Sequence, residues 1–274
     1  GLLDENAVIK RGEIYYRGEN LLKKSERELE KEIRGNEIAM IFQDPGSSLN
    51  PVFTVEDQMT EVIKMYDNAG RKKNIDLAVR HLERVKLPNA VKLLRCYPHE
   101  LSGGMKQRVM IAMMLACNPS LLIADEPTTA LDVSIQAQFI NVLRELKSEL
   151  DTSILYITHD LAVISEICDS VSVMYAGRIV EDLPVEVLFE NPLHPYTKKL
   201  VHSVPGVETS LEDLEEIPGS VPRLIDPPKG CRFHPRCDIE ADICERKVPD
   251  LIEVGPDHSV ACHKEKTGEQ ENER

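Results

Sequence analysis

The sequence predicts an α/β fold: a largely parallel core sheet, then a small irregular Cys-rich appendage. Three observations predict it. Short apolar segments at Ile38–Phe42, Leu121–Ala124 and Ile154–Ile157 alternate with stretches of helical period, the pattern of strands laid side by side and covered by helices. Near residue 190 the texture changes, and Asn191-Pro192-Leu193-His194-Pro195-Tyr196 breaks the periodicity. Beyond it, Cys231, Cys237, Cys244 and Cys262 crowd into one short stretch. The expected division is a first domain over 1–190, with a helical subdomain over about 50–118, a Cys-bearing region over 191–264, and a disordered tail over 265–274.

In chain order, the Gly-bounded alternation at 11–18 predicts a short hairpin, and the charged stretch 25–34 predicts helix. Ile38–Phe42 reads as a strand, closed by a loop containing Asp44-Pro45 and Asn50-Pro51. Thr54 caps a helix from Val55 to about Tyr66, with Asp57 placed as its capping-box partner. Helical period returns over 76–87 and 105–117. Leu121–Ala124 is a buried strand, Ser134–Leu150 an amphipathic helix, and Ile154–Ile157 another buried strand. Leu161–Cys168 is helical, and Val171–Tyr175 and Arg178–Val180 are strands about a turn at Gly177. Residues 205–230 are rich in Pro, Gly and acids, and those after Lys264 have no apolar period.

Composition narrows the function classes. The net charge is −14, which disfavours nucleic acid as a main partner because phosphate binding needs clustered Lys and Arg. The longest apolar run, Val109–Cys117, falls far short of the roughly 18 residues of a membrane span. The first residues show no basic-then-apolar leader pattern, so no signal peptide is expected. Cys96, Cys117 and Cys168 lie in apolar patterns and read as small buried hydrophobes.

Two stretches carry the chemistry. Leu121–Ala124 leads into the adjacent carboxylates Asp125 and Glu126. At the carboxyl end of a strand such a pair faces the usual ligand position of an open α/β sheet. Asp125 suits Mg²⁺, a hard ion that takes oxygen ligands, and Glu126 can orient or deprotonate an attacking water. Upstream, Leu101-Ser102-Gly103-Gly104-Met105-Lys106-Gln107-Arg108 opens a helix. Its Ser102, Gly103 and Gly104 place backbone amides and a helix N-terminus toward an anion, and glycine permits close backbone approach.

Together these stretches resemble the signature and Walker B motifs of the ABC-type ATPases, which implies a P-loop NTPase-like fold that binds ATP and Mg²⁺, with Ser102, Gly103, Gly104 and Gln107 of the signature and Asp125 among the nucleotide-binding residues. Gln43 then resembles the Q-loop glutamine, implied to contact Mg²⁺ or the attacking water. Asp132, in Ala130-Leu131-Asp132, resembles the D-loop acid. His159 resembles the switch histidine that touches the γ-phosphate. Phe42-Gln43-Asp44-Pro45, Tyr97-Pro98-His99-Glu100, Asp125–Asp132 and Asn191–Thr197 narrow the resemblance to ATPases of the dipeptide/oligopeptide/nickel importers. That group implies ATP-driven peptide import from the cytoplasmic face of the membrane. It also implies two transmembrane permease subunits, a second ABC ATPase subunit, and an extracellular peptide-binding protein.

The cysteines Cys231, Cys237, Cys244 and Cys262 offer four thiolates. Their spacing lacks the C-x2-C of structural zinc, and His234, His258 and His263 stand nearby in sequence. From the residues, zinc, an iron–sulfur cluster and no metal all stay open. The importer resemblance favours [4Fe–4S], as a staple for an appendage too small to form its own core.

No Gly-Lys pair, and so no G-x-x-x-x-G-K-[ST], occurs in the sequence. Within the resemblance this predicts a cassette lacking its N-terminal P-loop region, unable to hydrolyse ATP alone but able to complete a partner's site with its signature. Two alternatives stand beside it: an inert truncated subunit with a metal-binding tail, and an ABC-like ATPase outside transport. The latter usually carries coiled-coil inserts, tandem domains or basic stretches, which are missing here.

Overall fold

The computed structural model describes residues 6–43, 49–66, 70–128, 133–149, 152–203 and 217–265. Several expectations fall outside them: the chain start, Asp44-Pro45, Asp132 with Ala130-Leu131, part of the Pro- and Gly-rich stretch, and the tail from residue 266. The chain packs as two units, residues 1–159 and 160–274.

The first unit opens with a hairpin of β1 (Tyr15–Tyr16) and β2 (Glu19–Asn20), followed by a helical turn α1 (Glu26–Glu28). Its central feature is a parallel sheet of β3 (Ile38–Ile41), β4 (Leu121–Asp125) and β5 (Ser153–Ile157), in that order. Ile41 pairs with Ala124 and Asp125 with Ile157, so the three carboxyl ends finish level. Ala39, Ile41, Leu122 and Ala124 are buried. The segment Ile154–Ile157 differs from its expectation as a buried strand: Leu155 is 50% and Ile157 45% exposed. The reason is position, since among the described strands β4 is central and β5 pairs on one side only.

The helices of this unit are α2 (Val55–Tyr66), α3 (Arg71–Arg84), α4 (Ala90–Leu93), α5 (Gly103–Leu115) and α6 (Val133–Glu149). Thr54 and Asp57 form the expected reciprocal cap on α2: Thr54 N donates to Asp57 Oδ2 at 3.1 Å, and Asp57 N to Thr54 Oγ1 at 3.2 Å. Met59 of α2, Leu82 of α3 and Met110 and Ile111 of α5 bury almost completely, joining the three helices through one apolar seam. Arg108 fixes α5 from outside that seam. Its guanidinium donates to the Val85 carbonyl at 3.1 Å and to Gln138 Oε1 of α6 at 3.1 Å.

In the second unit, α7 (Leu161–Ile167) leads into an antiparallel sheet of β6 (Ser170–Tyr175), β7 (Arg178–Pro184), β8 (Ile252–Gly255) and β9 (His258–Val260). Its order is β6-β7-β9-β8. Thus β8 and β9, from the region after residue 191, complete the sheet begun by β6 and β7. Helices α8 (Val185–Glu190), α9 (Pro195–His202) and α10 (Asp242–Arg246) lie in the same unit. Leu183, Leu188, Tyr175 and Phe233 are buried in its core.

A buried carboxylate organises this second unit. Glu181 of β7 is 0% exposed. It accepts from Leu193 N at 2.7 Å, His194 N at 3.0 Å and His258 Nε2 at 2.8 Å. The chain around Asn191–Tyr196 is thereby held to the sheet by bonds from donors that have little access to water.

Candidate functional site

The parallel register brings three separated residues together. Gln43 follows β3 by two residues, Glu126 follows β4 directly, and His159 follows β5 by two. Gln43 Nε2 donates to Glu126 Oε2 at 3.2 Å, and His159 Nδ1 lies 3.2 Å from Glu126 Oε1. With Nδ1 protonated, the imidazole donates to the carboxylate and leaves Nε2 for another partner. The carboxylate is therefore shared between two polar side chains at the carboxyl edge of the sheet, where ligands bind in such folds.

The backbone at Glu126 is unusual. Its φ is +42°, in the left-handed region that a residue with a Cβ rarely adopts. Two contacts flank it. Glu126 N donates to the Ile157 carbonyl at 2.9 Å, and the carbonyl of Pro127 accepts from Gln107 Nε2 at 2.7 Å. Asp125 is half-buried beside it as the last residue of β4.

The anion-binding turn folds as its residues dictate. Ser102 is the N-cap of α5, its hydroxyl accepting from Met105 N at 3.3 Å. The two glycines differ in surroundings. A Cβ on Gly103 would meet nothing within 4 Å, whereas one on Gly104 would stand 3.2 Å from Ile135 Cγ2. Gly103 therefore keeps the helix end open, and Gly104 lets α5 approach α6. Gln107, grouped in the sequence with the ligand-contacting residues, is 1% exposed and turned inward to Pro127. Its place in this structure is inside the unit.

Donor chemistry fits Mg²⁺ with ATP: an oxygen-donor carboxylate at Asp125, the Gln43 amide and Glu126 close by, and phosphate oxygens to complete the shell. The cysteine quartet stands differently. Cys231, Cys237, Cys244 and Cys262, with His194 and Phe233, line one cavity of ≈ 20 Å³. Yet no group of three or more His, Cys, Asp or Glu among the described residues is arranged to hold a metal ion. Burial raises the thiol pKa values of Cys231, Cys237 and Cys262.

Comparison with known proteins places these features in a family. Residues 2–129 match the model of the ABC transporter family, and residues 180–244 match that of the oligopeptide/dipeptide transporter C-terminal region. The probable peptide ABC transporter ATP-binding protein y4tR of Sinorhizobium fredii is 50% identical over 252 residues, covering 92% of this chain and 75% of that one. The chain belongs to the ABC transporter ATP-binding family.

Other members of the ABC family agree. The oligopeptide transport ATP-binding protein OppD of Escherichia coli is 48% identical over 264 residues, covering 96% of this chain and 77% of its own. Among solved structures, the ATP-binding cassette MJ0796, as a dimer bound to ADP and Pi, superposes with a TM-score of 0.56 at 28% identity. It covers 64% of this chain and 74% of its own. The ABC cassette cbiO1 of Clostridium perfringens gives 0.57 at 28% identity, covering 66% and 69%. The fold is thus that of an ABC ATPase, and the chain is an ATPase of that class. No helix of the described residues is long and apolar enough to cross a membrane.

Sequence reasoning missed Glu181 and its three donors. The available signal was an acid inside the apolar strand Arg178–Pro184 with an Asn-Pro-Leu-His-Pro-Tyr segment just after it.

Proposed function

We propose that this chain is the ATP-binding and ATP-hydrolysing subunit that energises import of peptides, di- or oligopeptides, across the cytoplasmic membrane, this sequence being unable to hydrolyse ATP alone because it holds no Gly-Lys pair. It acts at the cytoplasmic face, docked on two transmembrane permease subunits and paired with a second ABC ATPase subunit. An extracellular binding protein delivers the cargo. The observation that carries the reading is the meeting of Gln43, Glu126 and His159 at one sheet edge, in a chain that also matches the oligopeptide/dipeptide C-terminal region.

In this reading Glu126 orients and deprotonates the attacking water. Gln43 and His159 hold its carboxylate by one oxygen each. With both ring nitrogens protonated, His159 donates from Nδ1 to Glu126 and from Nε2 to the γ-phosphate. Asp125 and Gln43 hold Mg²⁺, which supplies charge stabilisation on the transferred phosphoryl group when bound. Asp132 serves as the D-loop acid. Ser102, Gly103 and Gly104 offer a helix N-terminus to the phosphates of the ATP in the partner's site. The appendage cysteines Cys231, Cys237, Cys244 and Cys262 take up a [4Fe–4S] cluster or, as the alternative, Zn²⁺. What supports this is their common cavity and their four-thiol chemistry.

The test is Glu126→Gln in the assembled transporter, which is expected to retain ATP while losing turnover and peptide uptake. Undiminished hydrolysis would remove Glu126 from the base role. Anaerobic purification with iron, sulfide and zinc analysis tests the appendage. Protein with neither iron nor zinc would sink the metal assignment and leave the ATPase reading standing.

A further inference from the structure

We propose that Gln107 is a positioning residue for Glu126, tying the helix that begins at Ser102-Gly103-Gly104 to the backbone that aims the hydrolytic carboxylate. The proposal rests on the reading of Glu126 as the hydrolytic acid.

Glu126 holds a φ of +42°, which a residue with a Cβ keeps only where its surroundings enforce it. The enforcement is visible on both sides. Upstream, the Glu126 N–H is bonded to the Ile157 carbonyl of β5 at 2.9 Å. Downstream comes Pro127, whose ring fixes its own φ and which has no N–H to offer. Its carbonyl is a backbone handle on that side, and Gln107 Nε2 holds it at 2.7 Å. Gln107 is 1% exposed, so water cannot readily replace that donor.

The consequence reaches the carboxylate. Glu126 is in place to meet both Gln43 and His159 at 3.2 Å only while its backbone stays left-handed. Freed from Gln107, the Pro127 carbonyl would be a buried acceptor without that donor, and rotation about the Glu126–Pro127 segment would swing the carboxylate away. Gln107 also lies on the same helix as Ser102, about one and a half turns along it. A shift of that helix end, of the kind produced when a phosphate docks on Ser102–Gly104, is passed to Glu126 through one side chain. The signature of this chain and its own hydrolytic acid are mechanically linked.

The test uses the assembled ATPase and three variants. Gln107→Leu keeps the volume and removes the donor. It is expected to lower kcat by about ten-fold or more with the KM for ATP within about two-fold. Gln107→Glu can donate to the Pro127 carbonyl only when protonated. Its activity relative to wild type is expected to rise as pH is lowered from roughly 8 to 6, a trend that Gln107→Leu lacks. Glu126→Gln is run alongside. If turnover survives in Glu126→Gln, the underlying role of Glu126 is wrong. If Glu126→Gln is dead while Gln107→Leu melts like wild type and keeps kcat within about two-fold, the Gln107 proposal alone is overturned. Should Gln107→Leu unfold, the pH trend of Gln107→Glu decides, and a flat ratio overturns the proposal.

Discussion

Replacing each glycine of the Ser102-Gly103-Gly104 turn by alanine should separate ligand approach from packing. At Gly104 the new Cβ would stand 3.2 Å from Ile135 Cγ2 and 3.6 Å from Cδ1. Cγ2 sits on a branched carbon and cannot rotate away without moving the whole side chain. Overpacking of this kind costs about 1–3 kcal/mol, offset by about 0.5–1 kcal/mol from replacing glycine in a helix. The net loss is about 1 kcal/mol, a fall of roughly 2–4 °C in Tm for a unit of this size. At Gly103 the Cβ meets nothing within 4 Å. That variant should melt at or slightly above wild type. Its turnover should nevertheless fall by about 10²-fold, because the methyl displaces a phosphate from the helix end by a good part of its own radius. Thermal unfolding and steady-state ATPase assays of the assembled complex read the two effects separately. Full activity in Gly103→Ala, or a gain of stability in Gly104→Ala, would refute the division of labour.

Two further predictions concern the second unit. Glu181→Leu strands the N–H groups of Leu193 and His194 and the imidazole of His258, and should cost about 3–5 kcal/mol; a loss below about 1 kcal/mol in urea unfolding would contradict this. Burial lowers the His194 pKa from 6.5 to about 4, with the Glu181 carboxylate opposing the shift. Between those values the unfolded chain binds more protons than the folded one. The contribution of this ring is therefore intact above about pH 6.5 and lost as pH falls toward 4, by about 3 kcal/mol in all. Unfolding free energies across that range should fall more steeply for wild type than for His194→Phe; equal slopes would exclude the ring as their source.

The residues whose roles depend on chain direction were legible, and those whose roles depend on side-chain direction were not. Apolar runs at Ile38–Phe42 and Leu121–Ala124 announce parallel strands, and parallel strands end together. Gln43, Glu126 and His159 were grouped through the resemblance to the ABC-type ATPases, and the parallel register explains why they meet. The burial of Ile154–Ile157 could not, because an apolar run reads alike whether it pairs on one side or two. Gln107 illustrates the harder case. In sequence it shares a motif with Ser102–Gly104, but its helical position turns it inward to Pro127. The cysteines make the same point: spacing counts thiols, and their arrangement depends on rotamers. Glu181 was hidden because its partners Leu193, His194 and His258 come from two distant stretches.

The two glycines bear on how the motif works as a unit. If Gly104 is glycine for the sake of Ile135, then the depth at which α5 seats against α6 is set at its first turn. Gln107, farther along α5, then meets Pro127 at 2.7 Å because of that seating. On the proposed reading, the lack of a side chain at Gly103 admits the partner's phosphate, and the lack of one at Gly104 sets the helix depth. The amide at Gln107 converts that depth into the backbone angle of Glu126. On that same reading the signature and the carboxylate pair serve different nucleotides. One buried hydrogen bond then suffices to make occupancy of one site felt at the acid of the other.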